Sequence, residues 1–360
     1  MDERICFPYA DDLDDQPDFI NDIVRIYDKM QDDVSREIFV SRLMLSLTRD
    51  YKYMKNVILQ TEGGKKLNSL LCHAEKPPYI YGAGIRGKRL VKLFSDFNWG
   101  GFIDISTEQE SYQNIKIIDP EMFMNLYTKG TVIIVSNMKG SEKIVDNLVS
   151  MGVVADDIYV LNDFDQEGAR NIYFEQECVE PVINGEKIFI DVGCYDGKDS
   201  INYMERTRNE NARIYAFEPD IRNYKVCKDN LAQYPNITLF NVGLSDVEQE
   251  LGVMGEGEMS YLCEDSSLKV KTQLLDNILQ NQPVTFIKMD VEGYEMKVLE
   301  GAKKMIREYC PLLAVSIYHK KSDIWKIPQL ILKIQDKYSF YMRYYGAASG
   351  DVVLYAVEKK

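Results

Sequence analysis

Histidine and tryptophan are scarce, with two of each in 360 residues, and no two cysteines stand in a CxxC spacing. His73 and His319 are too few to complete a zinc cluster with thiols as scattered as Cys6, Cys72, Cys178, Cys194, Cys227, Cys263 and Cys310. The expectation is reduced, mostly buried cysteines and no bound metal, although Asp290 and Glu292 could hold a magnesium ion if a third oxygen ligand converged. No run approaches the roughly 20 apolar residues of a membrane span, and the acidic start MDERICFPYADDLDD lacks the basic and then apolar pattern of a secretory signal. A cytoplasmic chain without a membrane partner is expected. Basic residues are also in deficit, with 43 Lys and Arg against 57 Asp and Glu and a net charge of −14. That field repels phosphate backbones and argues against nucleic acid as a partner.

What is present is a globular composition, 45% hydrophobic and 11% aromatic, in a chain longer than one core holds comfortably. Two domains are therefore expected. Phe19, Ile20, Ile23, Val24, Tyr27 and Met30, then Phe39, Leu43, Leu47, Tyr51 and Met54, recur at helical spacing. Residues 1–76 read as a helical segment whose acidic side chains form either a solvated face or a surface for self-assembly into a homo-oligomer. From Pro77 the runs YIYGAG, GFIDIS, TVIIVSN and DIYVL alternate with helical stretches, which predicts a small Rossmann-like α/β unit over 77–163. Residues 164–185 have no period and read as a linker.

A second α/β series fills 186–360. Strands KIFIDVG, ARIYAFE, ITLFNVG, VTFIKMD and LLAVSIY are separated by helices or, over 245–270, by an irregular stretch. SFYMRYY and DVVLYAVEK close the chain as an antiparallel pair. The prediction is a doubly wound sheet with a mixed edge, whose ligand lies beyond the carboxyl ends of its strands.

Those ends are acidic. The first carries Asp191, Gly193, Asp196 and Gly197, glycines that permit a sharp turn beside carboxylates that disfavour a pyrophosphate. An acidic glycine loop suits a ligand with ammonium and sulfonium groups, such as S-adenosylmethionine. Glu218 ends the second strand, where a carboxylate can accept both hydroxyls of a ribose; Pro219 stops that strand and Asp220 caps the next helix. Asp246 follows the third strand and is a candidate for the adenine side or an ordinary turn residue. Asp290 and Glu292 end the fourth strand two residues apart, where capping accounts for one and ligand or proton binding for the other. His319 follows the fifth strand and is the first candidate for a general base, with Glu292 second.

With these residues in place, 187–357 resembles the FkbM family of S-adenosylmethionine-dependent methyltransferases. FIDVGCYDGKDS is similar to its cofactor loop, YAFEPD to its ribose segment, NVGLSD to its third-strand segment and IKMDVEGYEMKVLEGA to its KIDVEG-type signature. The resemblance implies a class I methyltransferase sheet, S-adenosylmethionine as cofactor, and O-methylation of a hydroxyl on a sugar, polysaccharide or secondary metabolite. The chain departs from the family at Cys194, Tyr195 and Met289, which bears on acceptor shape.

Gly82-Ala83-Gly84-Ile85-Arg86-Gly87 matches GxGxxG after a strand, with Asp104 ending the next strand. This loop is either a nucleotide or nucleotide-sugar site, in which case the second sheet is a non-catalytic scaffold, or a turn kept for packing.

Overall fold

The computed structural model describes residues 19–105, 109–137, 140–161, 172–174, 179, 187–207, 211–255, 257, 261–263, 268–345 and 352–358. Contacts divide the chain into two compact units: one takes the residues up to Phe39 with Ile172–Arg343 and those from Val352 onward, the other Val40–Asn171 with Tyr344–Asp351. Among the described residues no helix is long and apolar enough to cross a membrane.

The described residues begin with four helices, α1 (Phe19–Lys29), α2 (Asp33–Thr48), α3 (Lys52–Gln60) and α4 (Glu62–Cys72). Two were expected, because the apolar spacing carries no sign of the short breaks at Asp50 and Thr61. An α/β series follows: β1 (Tyr79–Tyr81), α5 (Ile85–Leu93), β2 (Gly101–Ile103), β3 (Ser111–Tyr112), β4 (Ile115–Ile118), α6 (Pro120–Leu126), β5 (Ile133–Val135), α7 (Ser141–Ser150) and β6 (Ile158–Val160). Its strands form one sheet in the order β3-β4-β2-β1-β5-β6, parallel except for the β3–β4 hairpin. The four predicted strands are there, and the hairpin at the edge is additional. At the GAGIRG turn, Gly82 sits at φ +101°, and a Cβ on Gly87 would lie 2.1 Å from the Gly82 carbonyl oxygen. Asp104 accepts from the Ala83 N–H at 2.7 Å. Both glycines thus answer to the turn and its packing, and Asp104 is engaged with the loop backbone.

The remaining elements are β7 (Ile188–Val192), α8 (Lys198–Thr207), β8 (Arg213–Phe217), α9 (Ile221–Leu231), β9 (Ile237–Phe240), β10 (Gly243–Leu244), β11 (Gln249–Met254), β12 (Tyr261–Cys263), β13 (Lys269–Gln273), α10 (Leu275–Ile278), β14 (Phe286–Met289), α11 (Glu295–Gly301), α12 (Lys303–Tyr309), β15 (Leu312–Ser316), α13 (Asp323–Ile334), β16 (Tyr338–Tyr344) and β17 (Val352–Glu358). Seven of the strands make a sheet ordered β16-β17-β15-β14-β7-β8-β9. It is parallel from β9 to β15, and β17 runs antiparallel to β15. This is the doubly wound Rossmann-like α/β sheet with a mixed edge that the strand pattern predicts. The strands β7, β14 and β15 are buried throughout, as their continuous apolar runs require in a sheet covered on both faces.

The stretch 245–270, expected to be irregular, contributes instead to a four-stranded sheet, β10-β13-β11-β12. Its signal lies in the alternation of KVKTQ, where Val270 and Thr272 are buried and the lysines face out. One aromatic group anchors the larger sheet: Phe189 stacks on Tyr203 with ring centroids 4.3 Å apart, and Phe286 and Phe174 close round them. Phe174 and its neighbour Tyr173 come from the segment read as a linker. Residues 19–39 belong to this same unit: Phe19 meets Trp325 of α13 edge-on, Asp32 pairs with Arg343 at 2.8 Å, and the Met342 N–H donates to Ser35 Oγ. Asp32 is therefore engaged within the chain.

Candidate functional site

β7 stops where its backbone must turn beside β14, and the turn dictates glycine. Gly193 adopts φ +76°, and a Cβ there would lie 1.9 Å from the carbonyl oxygen of Asp290. Gly193→Ala adds backbone strain and this collision. It is expected to cost about 2 kcal/mol and to lower the melting temperature by about 5 °C, read by circular dichroism; an unchanged transition would contradict the close approach. Gly197, at φ +82°, packs against Cys227 and Leu231 of α9.

Beyond these strand ends lies a cleft that opens to solvent. Gly193 and Tyr195 line it from the first loop, Glu218, Pro219 and Asp220 from the second, and Asp290 and Glu292 from the fourth. Val242, Leu244, Val253 and Leu262 give it an apolar wall, supplied in part by the small second sheet. The lining contains four carboxylates and no cationic side chain among the described residues.

Glu218 is 5% exposed. Its Oε2 accepts from the Tyr195 N–H at 3.0 Å and its Oε1 from the Asp220 N–H at 2.9 Å, so the acid ties the first loop to the second. Burial pushes its carboxyl up to about 7, against the opposing pull of those two N–H groups. Asp220 caps α9 by accepting from the Arg222 N–H, as predicted, and pairs with the Arg222 guanidinium.

Asp191, Asp196, Gly197 and Asp246 do not line the cleft. Asp191 is fully buried, accepts from Ser200 Oγ at 2.7 Å and pairs with Lys288 Nζ at 3.0 Å. Lys288, 2% exposed, is its register partner on β14; it also reaches Asp199 at 3.2 Å and donates to the Gly193 carbonyl. Burial works against the lysine's charge, and Asp191, Asp199 and Asp290 more than offset it, so the ammonium is held strongly protonated. Asp196 accepts from the Lys198 N–H at the start of α8. Asp246 is exposed and accepts from Ser245 Oγ.

His319 does not itself line the cleft, but it comes together with Asp290 and Glu292, which do. His319 is 4% exposed. Its Nδ1 lies 2.8 Å from Glu295 Oε1, an oxygen that also accepts from the Val291 and Gly293 N–H groups. Its Nε2 faces Asp290 Oδ1 at 3.4 Å and Glu292 Oε2 at 3.5 Å. Burial disfavours the imidazolium, but Glu295, Glu292 and Asp290 outweigh it and raise the imidazole well above the ordinary histidine range. Glu295 is correspondingly lowered, since the attraction of His319 and the donated hydrogen bonds exceed its own large burial penalty. An imidazole that holds its proton is poorly suited to accept another, which favours the carboxylates as proton acceptors.

Tyr173, Lys288 and Glu295 escape sequence reasoning. Tyr173 donates to Asp290 Oδ2 at 2.6 Å across 117 residues of chain and adopts φ 67°. Only the buried lysine carried a local signal, as a charged residue inside the apolar strand FIKM.

Residues 191–343 match the family model described as Methyltransferase FkbM domain. The chain is 25% identical over 146 residues to the 2-O-methyltransferase NoeI of Sinorhizobium fredii, a stretch that covers 34% of this chain and 59% of that relative. It thus spans less than two thirds of the relative's length. Among solved structures, methyltransferase FkbM from Methylobacillus flagellatus KT aligns with a TM-score of 0.47 at 17% identity, over 87% of this chain and 99% of that one. An O-methyltransferase from Bacillus cereus, in complex with SAH, aligns with a TM-score of 0.36 at 12% identity, over 61% of this chain and 90% of that one.

Proposed function

On the premise that residues 191–343 form an FkbM methyltransferase domain, we propose that the protein transfers the methyl group of S-adenosylmethionine to a hydroxyl oxygen of a small-molecule or carbohydrate acceptor. The observation that carries this reading is the cleft itself: Glu218 stands at a strand end beside an apolar wall, and the lining is acidic. Glu218 accepts the ribose hydroxyls, Val242, Leu244, Val253 and Leu262 enclose the adenine, and the acidic rim favours a cationic sulfonium over a phosphate.

Methyl transfer asks for alignment and exclusion of water more than for covalent chemistry. The acceptor oxygen attacks the methyl carbon in line, the carbon–sulfur bond breaks with its electron pair going to sulfur, and the acceptor's proton must leave. Asp290 and Glu292, at the mouth of the cleft, are the groups that draw off that proton. His319 is a positioning residue that holds both carboxylates toward one point. Oxygen as the accepting atom is the reading suggested by the relative named as a 2-O-methyltransferase. The GAGIRG reading is less favoured, because Gly82, Gly87 and Asp104 are already accounted for by the turn, its packing and a backbone hydrogen bond.

The test is incubation of the full chain with methyl-labelled S-adenosylmethionine and a panel of sugar-bearing and sugar-free hydroxyl compounds. Label retained as an alkali-stable methyl ether, with S-adenosylhomocysteine released in equal amount, is the expected result. Saturable binding of nucleotide-sugars without binding of the methyl donor would overturn it.

A further inference from the structure

Asp290, Glu292 and His319 present one donor atom each to a common point, His319 once an arriving cation displaces its Nε2 proton. The three atoms all lie within 4.8 Å of one another, with His319 Nε2 at 3.4 Å from Asp290 Oδ1 and 3.5 Å from Glu292 Oε2. Ligands of a first-row divalent ion sit at about 2.0–2.2 Å from it, which places neighbouring donors roughly 3.0–3.5 Å apart. The two separations from His319 Nε2 therefore match a coordination shell as well as they match an ion pair, and the third is within 4.8 Å.

Two further observations point to a ligand. His319 Nε2 and Asp290 Oδ1 are buried polar atoms without a hydrogen-bond partner among the described residues, and both aim at this point. Buried orphans of this kind call for an occupant. In addition, the outer atoms are tied down as the second layer of a metal site requires: His319 Nδ1 meets Glu295, and Asp290 Oδ2 accepts from Tyr173. Three carboxylates about one imidazole also leave an excess of negative charge that a dication would balance.

We propose that Asp290, Glu292 and His319 bind a divalent transition ion of the manganese-to-zinc series at the mouth of the cofactor cleft, leaving coordination positions open for the acceptor's hydroxyl. One imidazole with two carboxylates favours these ions over calcium. The inference rests on the methyl-transfer reading for its purpose: the ion would fix the acceptor oxygen and acidify its proton, which passes to the Glu292 oxygen not bound to the ion. As a binding site it stands on the geometry alone.

The experiment titrates Mn²⁺ into the full chain, following loss of the free-ion paramagnetic resonance signal, with S-adenosylmethionine titrated separately by calorimetry. One Mn²⁺ per chain is expected, with affinity lowered at least tenfold in Glu292→Gln and in His319→Gln. Glu292 is partly exposed, so its variant should keep the fold even if the buried histidine's does not; circular dichroism checks both. Absence of saturable Mn²⁺ binding, or binding unchanged in a folded Glu292→Gln, overturns the site. Binding of the methyl donor without Mn²⁺ sinks the cation site and spares the methyl-transfer reading. Binding of Mn²⁺ without the methyl donor does the reverse.

Discussion

Glu218→Ala is expected to weaken binding of S-adenosylmethionine by about 100-fold. The ribose would lose two charge-assisted hydrogen bonds, each contributing about 1.5–3 kcal/mol, and a net loss near 2.7 kcal/mol is that factor in affinity. The same change frees the Tyr195 and Asp220 N–H groups, so the first loop loses its tie to the second. Calorimetry decides the matter, and affinity within threefold of the wild type would remove the ribose assignment. A pH series on the wild-type chain tests the same group. Hydroxyl donors favour the carboxylate, and burial holds the free-protein acid near 7, so affinity should rise with pH and level off above that value. The unliganded fold should respond in the opposite sense. A carboxyl raised in the folded state contributes stability fully below its unfolded value, and that contribution is lost as pH rises through about 7. The cofactor, by this account, binds at the expense of a protonated state that the empty cleft prefers.

Lys288→Met is expected to cost about 3–5 kcal/mol, the usual consequence of leaving a buried charge without its partner. Asp191 has no exposure and keeps only Ser200 when the ammonium is gone. For a unit of this size the melting temperature should fall by about 10 °C. Urea denaturation measures the loss directly, and a cost under about 1 kcal/mol would mean that Asp191 is not charged in the fold. Adding Asp191→Asn to Lys288→Met should recover part of the loss, because the remaining group is then neutral and still able to bond with Ser200. Since Lys288 also donates to the Gly193 carbonyl, the single variant should weaken the methyl donor's binding too.

The strand tips illustrate how far local reading reaches. Gly193, Glu218, Pro219, Asp290 and Glu292 line the cleft where the strand pattern placed them, because glycine turns and strand ends leave short-range marks in a chain. Asp191 sits at an equally plausible tip and yet points its charge inward to Lys288, a residue 97 positions away. Nothing in either segment distinguishes a carboxylate awaiting a ligand from one already neutralised across a register pair. His319 shows the same limit: its place after the fifth strand was readable, but the three acids that hold its proton come from a different strand end and the adjoining helix.

Periodicity and turn residues in the chain were thus sufficient for the α/β class, a doubly wound sheet with a mixed edge, and the glycine and carboxylate positions at the strand ends. These follow from backbone sterics and burial acting over a few neighbouring residues. The assignment of each charge depended on folding. Whether a carboxylate meets a lysine, a tyrosine, an imidazole or open cleft is set by hydrogen-bond register and by contacts such as Tyr173 on Asp290, closed across more than a hundred residues. The second sheet that walls the cleft was decided in the same way, since its short strands gain stability only when their partners arrive.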